Sequence, residues 1–88
     1  MVRYKIESEF REELFQKAVK MEGGETHLGR KLGYKINFGF RVRQLRRGEV
    51  SISERQLKEL SSITKIRLQE IQQHSTEQKT SRSKTTFN

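Results

Sequence analysis

Between residues 28 and 47 the chain carries Arg30, Lys31, Lys35, Arg41, Arg43, Arg46 and Arg47, and no acid. Four of these arginines fall in the stretch FGFRVRQLRR, residues 38–47, together with Gln44 and Phe40. Such side chains suit one kind of chemistry. A guanidinium fork donates paired hydrogen bonds to a phosphate or to the O6 and N7 acceptors of guanine, and a Gln amide matches the adenine edge. An aromatic ring among them can meet a thymine methyl, although packing within the protein is its commoner use. The pattern points to a polyanion that carries bases.

The formal net charge of +8 is concentrated in that segment. Residues 1–27 sum to −1, residues 28–47 to +7, residues 48–74 to zero and residues 75–88 to +2. A surface that only confers solubility mixes both signs, as the flanking segments do. A block of one sign raises the local potential and favours a nucleic acid as partner.

Other chemistries find little support. Eighty-eight residues are room for one small domain, without a deep substrate cleft. Cysteine is absent, which excludes disulfides and thiolate metal sites. His27 and His74 lie far apart, with no cysteine or carboxylate at metal-ligand spacing. No phosphate-cradling glycine loop is present. An enzyme, a metal and a cofactor are therefore not expected. No apolar run approaches the roughly 20 residues that span a bilayer, and the start MVRYKIESEF lacks the apolar stretch of a signal peptide. The expectation is a cytoplasmic, DNA-associated protein with no membrane partner.

The elements that would position the arginines read as an all-α, compact bundle of about five short helices. An extended arm, residues 1–7, precedes it, where Val2, Tyr4 and Ile6 alternate with polar neighbours as in a short arm or edge strand. From Ser8, a plausible N-cap, Phe10, Leu14, Ala18 and Met21 follow helical spacing, widened by Phe15 and Val19, until Gly23-Gly24. ETHLGRKLG predicts a second helix, with Gly24 and Thr26 competing to cap it, and residues 37–47 a third, between Asn37 and Gly48. Ser53 and Gln56 form a capping box for a fourth helix with Leu57 and Leu60 buried. Ile63, Ile66 and Ile71 continue into a last helix, capped at Thr64 and fading near His74. The helical domain spans 8–74, and the polar, basic tail 75–88 is expected to be disordered.

LGRKLG has a mechanical meaning. Gly29, directly after Leu28, lets the following helix cross close by, and Gly33 supplies a left-handed turn residue. With VRQLRRGE and SERQLKEL behind it, the chain resembles the Cro-like (phage-repressor type, xenobiotic-response-element) helix-turn-helix family over roughly residues 10–72. Counted from Gly33 at the family spacing, the buried slots of the third helix would fall on Gly39 and Val42. Glycine is a poor core residue. Three extra residues in the turn, within YKINF, put Val42 and Leu45 in those slots and Gly48 where the family has its glycine.

In that register the resemblance places Arg43 and Gln44 at base-reading positions, with Phe40 and Arg41 nearby. Arg46 and Arg47 fall to phosphates, as do Arg30, Lys31, Lys35 and Thr26. It implies sequence-specific binding of double-stranded DNA by a transcriptional regulator, with a homodimer expected from the family. Residues 63–71 and the region of Tyr4 are the candidate dimer surfaces. RNA binding is the alternative, because a long turn and a basic tail suit a structured RNA. A protein-interaction adaptor is the third reading. His27 is expected to be an ordinary surface residue.

Overall fold

The alternating Val2, Tyr4 and Ile6 do form a strand, and that strand lies at the centre of a sheet rather than free as an arm. A computed structural model describes residues 2–79. In chain order the elements are β1 (Val2–Ile6), α1 (Ser8–Glu22), α2 (Glu25–Lys31), α3 (Phe38–Arg47), β2 (Ile52–Ser53), α4 (Glu54–Thr64), α5 (Leu68–Gln73) and β3 (Ser75–Lys79). The five helices agree with the expected bundle, but the fold is not all-α. A three-stranded antiparallel sheet, ordered β2-β1-β3, packs with them.

The sheet corrects two expectations. Residues 75–79, read as the start of a disordered tail, pair with β1 from Ile6↔Ser75 to Val2↔Lys79. The sequence STEQK has no apolar alternation to announce a strand. Its bonds run from backbone to backbone, which composition does not reveal. The Glu7 amide extends the pairing by donating to the His74 carbonyl at 2.8 Å, and Ser75 Oγ donates to the Ile71 carbonyl at 2.6 Å. Residues 80–88 of the expected tail lie outside the described residues. On the other edge Tyr4 pairs with Ile52 and Arg3 with Ser53. The Arg3 guanidinium donates to Ser51 Oγ and to its carbonyl, both at 2.7 Å.

Coming directly off β1 changes how α1 begins. Glu7 is the N-cap and Ser8 the first helical residue, with no side-chain cap bond. The strand's last backbone bond is made at Glu7, so helical geometry starts one residue before Ser8 could cap it. Leu14, Phe15 and Ala18 are buried, and Phe10 and Val19 pack beside them. Met21, expected on the same stripe, is 51% exposed. It lies in the last turn, two residues before the chain reverses at Gly23, whose φ is +84°.

The fourth helix matches its sequence signal. Ser53 Oγ accepts from the Gln56 amide at 3.1 Å and Gln56 Oε1 accepts from the Ser53 amide at 3.2 Å. Gln56 Nε2 also donates to the Leu32 carbonyl, tying α4 to the end of α2. Leu57, Leu60 and Ile63 are buried. Thr64 does not cap the last helix. It is the final residue of α4, fully buried, and its hydroxyl donates to the Leu60 carbonyl at 2.8 Å and accepts from the Ile66 amide. Arg67 is the N-cap of α5, and Ile71 closes the core. Among the described residues no helix is long and apolar enough to cross a membrane.

Candidate functional site

Helix α3 is placed by a contact that only glycine permits. A Cβ on Gly29 would lie 2.5 Å from the Phe38 carbonyl oxygen and 2.8 Å from its Cα. The start of α3 therefore rests directly on α2, as the LGRKLG spacing predicts. Between the two helices run residues 32–37, with Gly33 at φ +92° and Asn37 at φ +54°. Asn37 makes no side-chain cap bond; its carbonyl accepts from the Arg41 amide at 2.9 Å.

The inward residues of α3 are the two that the sequence expects to be buried. Val42 and Leu45 are buried, and Gly48 ends α3 in the left-handed region. Gly39 is not in the core. Its α-carbon faces Thr26, the Glu25 stem and the end of the Arg43 side chain at the start of α2.

With Val42 and Leu45 turned inward, Phe40, Arg43, Gln44 and Arg47 fall at i, i+3, i+4 and i+7 on the opposite stripe. Phe40 is 54% exposed, and Arg43 and Arg47 also stand in solvent. Gln44 lies on that stripe half-buried, and its Oε1 is covered without a hydrogen-bond partner. Arg41 falls outside the stripe, its guanidinium 5.9 Å from the Tyr34 ring centroid. Arg30 lies 4.9 Å from the Phe38 ring centroid. Both distances are within the range of a cation–π contact. Lys31, Lys35 and Thr26 are exposed, and Gly24 rather than Thr26 is the N-cap of α2. Ile36, in the turn, is 64% exposed.

Two residues that carry much of this geometry were invisible in the sequence pattern. Glu25, the first residue of α2, pairs through Oε1 with Arg43 Nε at 3.3 Å and through Oε2 with Arg46 Nη1 at 2.9 Å. The block without acids thus receives one from outside its own span. Arg11, amid the carboxylates of α1, is structural. Its Nε donates to the Arg46 carbonyl and its Nη1 to the Ile6 carbonyl, both at 2.9 Å. Its guanidinium fills the space where a Cβ on Gly48 would lie, within 2.7 Å. Arg47 pairs more loosely with Glu49, at 3.6 Å.

An open groove runs along this side of α3, lined by Ser8, Arg11, Glu12, Glu25, Arg43, Arg46 and Arg47. It offers hydrogen-bond donors to a ligand with acceptor oxygens. The His74 ring stacks on Phe10 at 4.2 Å, and its Nδ1 lies 3.1 Å from Glu7 Oε1. His27 is exposed, as expected of a surface residue. Among the described residues no three His, Asp or Glu side chains are grouped to hold a metal ion.

Of the candidate dimer surfaces, residues 63–71 keep Ile66 and Leu68 half-buried between exposed polar neighbours. β1, with Tyr4, has a strand on each side, and Ile63 and Ile71 are buried in the core. No family model matches the sequence, and no curated protein and no solved structure matches it either.

Proposed function

We propose that the protein binds double-stranded DNA in a sequence-specific manner, with α2 and α3 as a helix-turn-helix and α3 as the helix that enters the major groove, and that it acts in transcriptional control. The observation that carries this reading is the outward stripe of Phe40, Arg43, Gln44 and Arg47 on a helix fixed from behind by Val42 and Leu45. A ten-residue helix is about 15 Å long and, with side chains, about 10–12 Å across, which matches a major groove about 12 Å wide.

Recognition helices meet base edges with their N-terminal residues, so Phe40 and Arg43 lead, with Gln44 behind them. Arg41 flanks this set. Arg47, Arg30, Lys31, Lys35 and Thr26 serve the phosphates, which supply affinity and orientation rather than sequence, whereas Arg46 is held by its ion pair with Glu25. The likeness to the Cro-like pattern supports the assignment, and the long turn of residues 32–37 is where this chain departs from it.

A second reading has an observation of its own. Phe40 and Ile36 are exposed at the start of α3 beside cationic side chains. Such a surface also suits unpaired RNA bases, which stack on aromatic rings.

Selection from a random duplex library, with the bound pool titrated against salt, tests the proposal. An enriched motif whose affinity falls steeply with salt is the expected result. A two-fold symmetric motif would add the homodimer. Stronger enrichment from a structured-RNA pool at the same salt would replace DNA by RNA. No enrichment with little salt dependence would overturn both in favour of a protein partner.

A further inference from the structure

Glu25 stands where the start of α2 meets α3, half-buried, with each carboxylate oxygen on a different arginine. The two pairs are not equivalent. Arg46 is held by a terminal nitrogen at 2.9 Å, its side chain is 33% exposed, and its carbonyl accepts from Arg11. It is tied down at both ends. Arg43 is held at Nε, and its side chain is 54% exposed. The carboxylate on the Nε side draws the guanidinium toward it by charge and leaves Nη1 and Nη2, the two donors that bridge an acceptor pair end-on. Arg43 Nη2 lies 3.4 Å from where a Cβ on Gly39 would be, so the side chain runs back over that residue.

We propose that Glu25 is the specificity-determining positioning residue of the α3 surface: it orients Arg43 toward one base-pair edge and keeps Arg46 off the phosphate backbone. The inference rests on the DNA-binding reading and deepens it. An arginine that is free to swing finds a phosphate on any duplex, since every duplex presents phosphates at the same spacing. Holding Arg46 with a carboxylate removes that indiscriminate contact, and the carboxylate's own charge repels any backbone that approaches out of register. Holding Arg43 by Nε reduces the freedom it must lose to make a bidentate contact with guanine. Both effects lower binding to random DNA relative to the preferred site.

The test compares the full chain with Glu25→Gln and Glu25→Asp on the selected duplex and on a random duplex of equal length, across a salt series. Glu25→Gln is expected to bind random duplex more tightly, with a salt slope steeper by about 0.9 for one additional phosphate. Its ratio of specific to random affinity should fall on the order of tenfold, as for loss of one ordered base contact. Glu25→Asp keeps the charge but shortens the reach. Random binding should therefore stay at the wild-type level while the ratio falls by a smaller factor, which separates position from charge and also carries the test if Glu25→Gln melts below the assay temperature. In an Arg43→Ala background, the part of the ratio lost through Arg43 should no longer respond to either substitution. An unchanged ratio in both variants, or the same loss with and without Arg43, would overturn the proposal. If the wild-type chain does not discriminate among duplexes, it is the DNA-binding reading that fails, and the inference falls with it.

Discussion

Gly29 lies so close beneath Phe38 that a Cβ on it would come within 2.5 Å of the Phe38 carbonyl oxygen, an approach that involves backbone on both sides. No side-chain rotation relieves it. Gly29→Ala must push the start of α3 away from α2, and overpacking of this kind costs about 1–3 kcal/mol. Thermal melting should show a clear loss of stability, and duplex binding should weaken for all sequences because the whole helix shifts. Gly39→Ala is the control. Its Cβ would meet the flexible end of Arg43 at 3.4 Å and Thr26 Oγ1 at 3.7 Å, while alanine gains about 1 kcal/mol of helix propensity over glycine. That variant should melt at or above the wild-type temperature. Equal melting of the two variants would contradict the close crossing.

The far end of the described chain makes the next prediction. Truncation after His74 removes every bond of β3 to β1 and the Ser75 hydroxyl bond to the Ile71 carbonyl. Each such hydrogen bond is worth roughly 0.5–1.5 kcal/mol net, so several together are a large share of a small domain's stability. A chain ending at Lys79 keeps them all and is the reference. The shorter chain should have a markedly lower Tm by circular dichroism. Coincident melting curves would mean that the β1–β3 ladder contributes nothing in solution.

What was legible in the sequence and what was not divide by the distance between partners along the chain. The inward face of α3 follows from the spacing of Val42 and Leu45, and the capping box from Ser53 and Gln56 three residues apart. Gly48 could be read because a left-handed helix end prefers glycine. Each is a local signal. β3 pairs with a strand some seventy residues earlier through backbone alone, and its polar side chains carry no trace of that. Arg11 serves a carbonyl 35 residues away, and Glu25 an arginine 21 residues away. By composition both look like solvated helix charges. The charge block showed which helix carries the arginines, but not that an acid from the preceding helix divides them into held and presented ones.

Within the proposed interface the arginine and lysine side chains should separate into two classes. Arg43, on the outward stripe, is assigned to a base edge, and its replacement by Ala should reduce discrimination by about 1–3 kcal/mol. Lys31, exposed near the end of α2, is assigned to phosphate. Lys31→Ala should weaken specific and random duplexes alike and reduce the salt slope by about 0.9. Titration of both variants on both duplexes across a salt series checks this. Equal losses from the two variants on the two duplexes would remove the division between base and phosphate contacts.

Gln44 is the residue at which stability and recognition should pull in opposite directions. Its Oε1 is covered and finds no hydrogen-bond partner, and an unsatisfied buried acceptor costs about 1–3 kcal/mol. Methionine has nearly the same length and shape and no such group to leave unpaired. Gln44→Met should therefore raise stability by about 1 kcal/mol, an increase visible in the Tm. A half-buried Gln that costs stability beside exposed cationic and aromatic side chains is expected where a ligand supplies the missing partner, and turning the amide outward into the major groove would let it meet an adenine edge. The same variant should then lose discrimination at one position of the selected motif. A higher Tm with the motif unchanged would make Gln44 a packing residue and leave base reading to Phe40, Arg41 and Arg43. A lower Tm would show that the amide is satisfied in solution, and the expected trade between stability and recognition would be lost.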